Sequence, residues 1–271
     1  MKLASKIYTA LVFILLYTPI AVLVIFSFNS TASTGSFTGF SLNWYRELFR
    51  SDATMEALRN TLVIACVSSL VATIIGTSGA VGVSMLRNRY IKGTVNSVTN
   101  IPMMNPDIVT GVSMMMLFTF VGTALRLSSN LSFLTVMIAH ITFNIPYVYL
   151  SVMPKIRQMD KHLTEAALDL GCTPLQAFFK VQLPSIMPGI ASGAIMAFTL
   201  SLDDFVISYF TKGDFETLPT LIYSMTKKHV TPDMYALSTL MFVSVLALLM
   251  LSNFISSSDS RKLKKAKKSA K

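Results

Sequence analysis

Three carboxylates lie where this 271-residue chain is otherwise oily: Asp107, Asp203 and Asp204 fall within apolar runs. A carboxylate at the centre of a membrane helix costs about 2.5–3.5 kcal/mol on an insertion scale, so such residues face a partner, a cavity or a pathway. No Lys or Arg lies well inside any of these runs. The counter-charge must therefore come from a neighbouring subunit, a proton or a transported solute. The chemistry on offer is the handling of a cation, and a flexible amine with several positive charges suits carboxylates spaced along a route. By helical rise, Asp107 is expected about 9 Å from the inner end of its run, and Asp203 about 25 Å along its own towards the outside. On this reading Asp203 and Asp204 meet incoming solute and Asp107 assists further in. The competing reading is that the three cap broken helices or hold subunits together.

Two further constellations could carry chemistry. His140 and Asn144 stand one helical turn apart. They read either as a polar patch on the pathway or as an interhelical hydrogen bond worth about 0.6 kcal/mol. Gly76-Thr77-Ser78-Gly79 matches the Gly-x-Ser-Gly pattern of rhomboid-type intramembrane proteases, with His140 as a base two spans later. Small residues crowd membrane helices for packing reasons, so four positions are a weak match. Cys66 and Cys172 have no metal-ligand company, and no metal site is expected.

The elements that must position these residues follow from composition. The chain is 52% hydrophobic and 13% charged, against about 25% charged in a soluble domain. An all-α integral membrane protein is expected. Six runs can cross hydrocarbon about 30 Å thick: Ile7–Phe28, Thr61–Leu86, Ile101–Thr123, Leu131–Met153, Ile186–Phe210 and Met234–Ile255. The first reads as a retained anchor, since no clear small-x-small cleavage site follows it. Six crossings put both termini on one side. With the termini inside, the Lys and Arg residues divide 16 inside against 7 outside, summing to the 23 present, so the termini and the segment 154–185 are expected to be cytoplasmic. Residues 1–260 read as one transmembrane domain, and 261–271 as a basic tail near anionic lipid. Specific nucleic-acid binding is not expected of that tail, which has no interleaved aromatics. In the loop Asn29–Asn60, the spacing of Leu42, Tyr45, Leu48 and Phe49 predicts a helix, either lying at the interface or packed in the loop.

Between the fourth and fifth runs lies a polar stretch. Leu163, Ala166, Ala167 and Leu170 recur at helical spacing, and Gly171 sits where a helix end tolerates a left-handed residue. Thr173-Pro174 restarts a helix whose apolar edge is Leu175, Phe178 and Phe179, and Pro184 is expected to close it. These edges suit a protein partner.

That stretch resembles the signature of the permease subunits of binding-protein-dependent ABC importers: Glu165-Ala166-Ala167, three residues, Gly171, nine residues, Val181, one residue, then Leu183-Pro184. Over most of the chain the resemblance is to the second permease of spermidine/putrescine importers, carried by Tyr17-Thr-Pro-Ile-Ala, Pro106-Asp107-Ile-Val, His140-Ile-Thr-Phe with Pro146, and Ser201-Leu-Asp-Asp-Phe-Val-Ile-Ser208. The resemblance implies a type I ABC importer (MetI-like) permease fold in a bacterial inner membrane. It further implies docking of Glu165, Ala166, Ala167, Gly171, Phe178, Phe179, Leu183 and Pro184 on a cytoplasmic ATPase dimer, a sister permease sharing the pathway, and an extracytoplasmic binding protein. No Gly-x-x-x-x-Gly-Lys-Ser/Thr loop occurs in the chain, so ATP and Mg are expected on the partner and no cofactor here. The chain is then not itself an enzyme. Rival classes are a permease for another small solute, a proton-coupled secondary transporter, and the intramembrane serine protease.

Overall fold

Apolar runs of this length become helices because a lone segment in hydrocarbon can satisfy its own N–H and C=O groups in no other way. The computed structural model describes residues 2–31, 36–126, 131–160, 162–228 and 233–250. Its helices in chain order are α1 (Lys2–Phe26), α2 (Asn43–Leu48), α3 (Asp52–Met85), α4 (Arg89–Met104), α5 (Asp107–Ala124), α6 (Phe133–Gln158), α7 (His162–Asp169), α8 (Pro174–Ala177), α9 (Leu183–Asp203), α10 (Val206–Thr211), α11 (Leu218–Lys228) and α12 (Asp233–Met250). Among the described residues six stretches are long and apolar enough to span a membrane: α1, α3, α5, α6, the continuous run Pro174–Asp203, and α12.

Internal contacts divide the chain into two compact units, Met1–Asn60 with Glu216–Val245, and Thr61–Phe215 with Leu246–Lys271. In the first unit, Leu48 of α2 packs among Ala57, Leu218, Leu221, Ala236 and Leu237, with Trp44 and Tyr45 beside it. Trp44 Nε1 donates to the Asn29 carbonyl at 2.7 Å, and the Tyr45 hydroxyl meets Ser27 Oγ at 2.8 Å. The expected loop helix is therefore a packed one. The amphipathic α11, which buries Leu218 and Leu221, has no counterpart among the expected elements.

The second unit is built on α6. Val148, Tyr149, Val152 and Met153 of α6 are buried with Ala72 and Ala80 of α3 and with Ile186 and Ala197 of α9. Small residues set how closely these helices approach. A Cβ at Gly193 would stand 3.1 Å from Ser151 Cβ and 3.2 Å from Val148 Cα, and one at Gly189 would stand 2.7 Å from Lys155 Cγ. On the α3 side, a Cβ at Gly76 would lie 2.9 Å from Val148 Cβ.

Several boundaries differ from expectation, each for a local reason. Helix α3 begins at Asp52 rather than Thr61, because Ser51 caps it: its hydroxyl accepts from Thr54 N at 3.4 Å and its carbonyl from Met55 N at 3.0 Å. The third run is two helices, not one, broken at Asn105–Pro106. Proline disfavours helical backbone in the residue before it. Asp107 consequently lies at the first position of α5 rather than about 9 Å inside a span. The fifth run ends at Asp203 and restarts at Val206. Pro184 does not close a helix. A five-residue π-helical turn, Phe178–Gln182, carries α8 straight into α9, and Pro184 sits in the first turn of α9. The wide turn accommodates a proline that has no N–H to give. The end of the sixth run and the tail 261–271 lie outside the described residues.

Candidate functional site

Two places in the second unit gather the residues singled out by sequence. The first is the segment from α7 to the start of α9. Helix α7 ends in a Schellman motif: Cys172 N donates to the Ala167 carbonyl at 3.1 Å, and Gly171 N to the Leu168 carbonyl at 2.9 Å. Gly171 holds φ +86°, and a Cβ there would meet nothing within 4 Å. Backbone handedness, not space, requires the glycine. Thr173 and Gln176 then form a capping box, with Thr173 Oγ1 accepting from Gln176 N at 3.3 Å and Gln176 Oε1 from Thr173 N at 3.1 Å. Pro174 fills the next position, where its missing N–H costs nothing.

These caps settle which face turns outward. Ala167 and Ala177 are buried, at 6% and 1% exposure, whereas Leu170 and Leu175 are 86% and 71% exposed. Leu163 and Phe179 are exposed with them. Phe178 is half-buried and meets the Phe179 ring edge-on at 5.1 Å. Helical spacing puts Ala166 and Ala167 on one edge, whereas in the structure Ala166 faces out and Ala167 in. Leu183 is half-buried and Pro184 exposed. Glu165 stands in the first turn of α7, where a carboxylate is favoured by the helix dipole, and accepts from His162 Nδ1 at 3.0 Å. That hydrogen bond, followed by the charges of Asp160 and Glu165, raises the His162 pKa above its ordinary value. Glu165 also lines a cavity of about 540 Å³ with Lys92, Arg157, Thr164 and Gln182. His162 escaped the sequence reading, although its spacing to Glu165 was visible.

The second place is the break between α9 and α10. Adjacent carboxylates there do different things. Asp204 turns inward and caps α10: Oδ1 accepts from Ile207 N at 3.3 Å and Oδ2 from Ser208 N at 2.8 Å. His140 Nε2 on α6 lies 3.0 Å from Ser208 Oγ and 3.4 Å from Asp204 Oδ2. One turn along α6, Asn144 Nδ2 donates to Ser201 Oγ at 2.6 Å, and Ser201 Oγ meets Ser68 Oγ of α3 at 3.0 Å. His140 and Asn144 are buried to 1% and 0% exposure. Their geometry is that of interhelical bonding. Asp203 and Asp107 are exposed. Sequence reasoning missed Ser68, Ser201 and Ser208 as partners, because a serine in an apolar run carries no signal of what it faces.

The structure does not assemble a serine–histidine dyad. Ser78 is exposed and its hydroxyl donates to the Ile74 carbonyl at 2.7 Å, while His140 Nε2 faces Ser208 and Asp204.

Six membrane-length helices, with a rigidly capped hairpin of outward-facing leucines and phenylalanine between two of them, define a multi-pass membrane permease. The chain belongs to the family of binding-protein-dependent transport system inner membrane components, whose pattern matches residues 68–259. It is 42% identical over 235 residues to the putrescine transport system permease protein PotI of Escherichia coli K12, covering 86% of this chain and 83% of that one. It is 39% identical over 246 residues to the spermidine/putrescine transport system permease protein PotC of Haemophilus influenzae, covering 90% and 93%. Among solved structures, a bacterial ABC transporter that imports the acidic polysaccharide alginate superposes with a TM-score of 0.72 at 16% identity, over 94% of this chain and 95% of that one. The MetNI methionine ABC transporter gives 0.62 at 20% identity, over 77% and 98%. The fold is thus the ABC importer permease fold. Its occurrence in an importer of a polyanion means that fold alone does not set the charge of the solute.

Proposed function

We propose that this chain is a permease subunit of an ATP-driven importer whose solute is a polyamine, putrescine or spermidine. The observation that carries the reading is Asp203, a carboxylate left exposed where α9 stops, in a chain 42% identical to a putrescine permease. Asp107, exposed at the start of α5, is a second carboxylate for the same cation. The pathway is shared with a sister permease, and residues 1–260 act as one permease domain. The exposed apolar face of α7 and α8 docks a cytoplasmic ATPase dimer that holds ATP and Mg, and a binding protein delivers solute outside. Both termini face the cytoplasm, in keeping with the basic-residue bias.

The test is uptake of labelled putrescine and spermidine into proteoliposomes holding the whole complex, with the loaded binding protein supplied. ATP-dependent uptake of one amine is expected, and Asp203→Asn should lower it roughly tenfold or more. Wild-type vesicles that take up neither amine would sink the solute class. Uptake that survives a disabled ATPase but collapses with an uncoupler would replace ATP drive by proton coupling.

A further inference from the structure

The α9–α10 break is bracketed from one neighbouring helix. Two side chains of α6, one turn apart, reach its two sides. Asn144 holds the last turn of α9 through Ser201, which is itself held by Ser68, and His140 holds the first turn of α10 through Ser208 and Asp204. A hydrogen on His140 Nε2 suits both of its neighbours, the Ser208 hydroxyl at 3.0 Å and the Asp204 carboxylate at 3.4 Å. That tautomer leaves Nδ1 as a bare acceptor, in keeping with its having no partner in its buried position. Asp204 meanwhile spends both oxygens on N–H groups of α10. Between the two anchors, Asp203 is exposed.

We propose that His140 and Asp204 are positioning residues, a pin that fixes the break so that Asp203, and not Asp204, is presented to the solute. The inference rests on the polyamine-permease reading and divides the labour between two adjacent acids: Asp203 supplies charge, and Asp204 supplies geometry. An Asn whose oxygen takes the place of Oδ2 keeps the bond from Ser208 N and the approach of His140 and gives up only the 3.3 Å bond from Ile207 N, and Asn caps helices about as well as Asp. His140 needs a donor at the position of Nε2, which a glutamine amide can place there.

The experiment uses the assembled complex in proteoliposomes and varies the loaded binding protein. Asp204→Asn and His140→Gln should keep the maximal uptake rate within about twofold, since cap and donor survive. Asp204→Ala and His140→Leu should lower it more than about tenfold. The concentration of loaded binding protein giving half-maximal uptake should stay unchanged, because the His140 and Asp204 side chains are buried and offer no surface to it. Asp204→Asn as damaging as Asp204→Ala would overturn the proposal by making the charge itself essential. So would His140→Leu at the wild-type rate. A second readout keeps the pin testable even if Asp203 proves idle in transport. The rate at which a cationic methanethiosulfonate labels Asp203→Cys should change in the Asp204→Ala background and not in Asp204→Asn. Equal rates in both backgrounds would remove the pin while leaving the polyamine reading intact.

Discussion

The segment after α7 and the break after α9 are both interruptions of helix, yet they invest their polar groups in opposite ways. Around Gly171 every cap is local: the Schellman bonds and the capping box close over three to five residues, and what remains outward is hydrocarbon. Around the break after α9 the Asp204 cap is local, but the side-chain pairs that hold its two sides span 57, 68 and 133 residues of sequence, the polar groups are buried, and what remains outward is one carboxylate. The first site is finished by its own sequence and offers a surface to another protein. The second exists only when three spans have packed.

That contrast can be broken first at the hairpin. Leu175→Glu together with Phe179→Glu puts charge on the outward face, where anchor residues are worth about 2 kcal/mol or more each. The ATPase should no longer co-purify, while the thermal midpoint of the permease stays put because neither side chain is buried. Retention of the ATPase at wild-type levels would show that this face is not the dock.

At the break the expected energies are smaller. A double-mutant cycle between Asn144→Leu and Ser201→Ala should give a coupling of about 0.6 kcal/mol, the average for interhelical hydrogen bonds in a membrane. A coupling of zero would mean that the two helices are held by packing alone, and that the bracket around Asp203 has only one working side.

The smallest effect is a titration. His162 and Glu165 are both well exposed, so their pair is screened and contributes little. Its sign is nevertheless defined. The folded-state pKa of His162 is raised above its ordinary 6.5, so the stabilisation is complete below that value and disappears as pH rises through the raised one. Histidine NMR should show the imidazole titrating above 6.5 in the native protein and returning towards that value in Glu165→Gln. A titration unmoved by Glu165→Gln would remove the pair as the cause.

How much could be read in advance follows the same division. Gly171, Thr173 and Pro174 announced themselves because turn chemistry depends on neighbours a few residues apart. The six spans were legible because hydrocarbon demands long apolar helices. The restart of the helix at Val206 was not, since Phe205-Val206-Ile207 reads as uninterrupted membrane helix until His140 and Asp204 are seen together. Nor was the π turn, which lies in a register of the backbone that side-chain periodicity does not report. Asp107 is not inside a span for a plainer reason: Pro106 is the N-cap at which a new helix, α5, starts.

Glycines 189 and 193 carry a mechanical consequence. They let α9 lie directly against Ser151 and Lys155 of α6, so the two legs leaving the hairpin touch through backbone and Cβ atoms rather than through compliant side-chain tips. Contacts this close leave little compliant side chain between the two helices. Helix α9 has 21 residues, so it reaches about 30 Å from the hairpin to Asp203. The glycines make α6 and α9 a single stiff strut, with an apolar foot at one end and a carboxylate at the other.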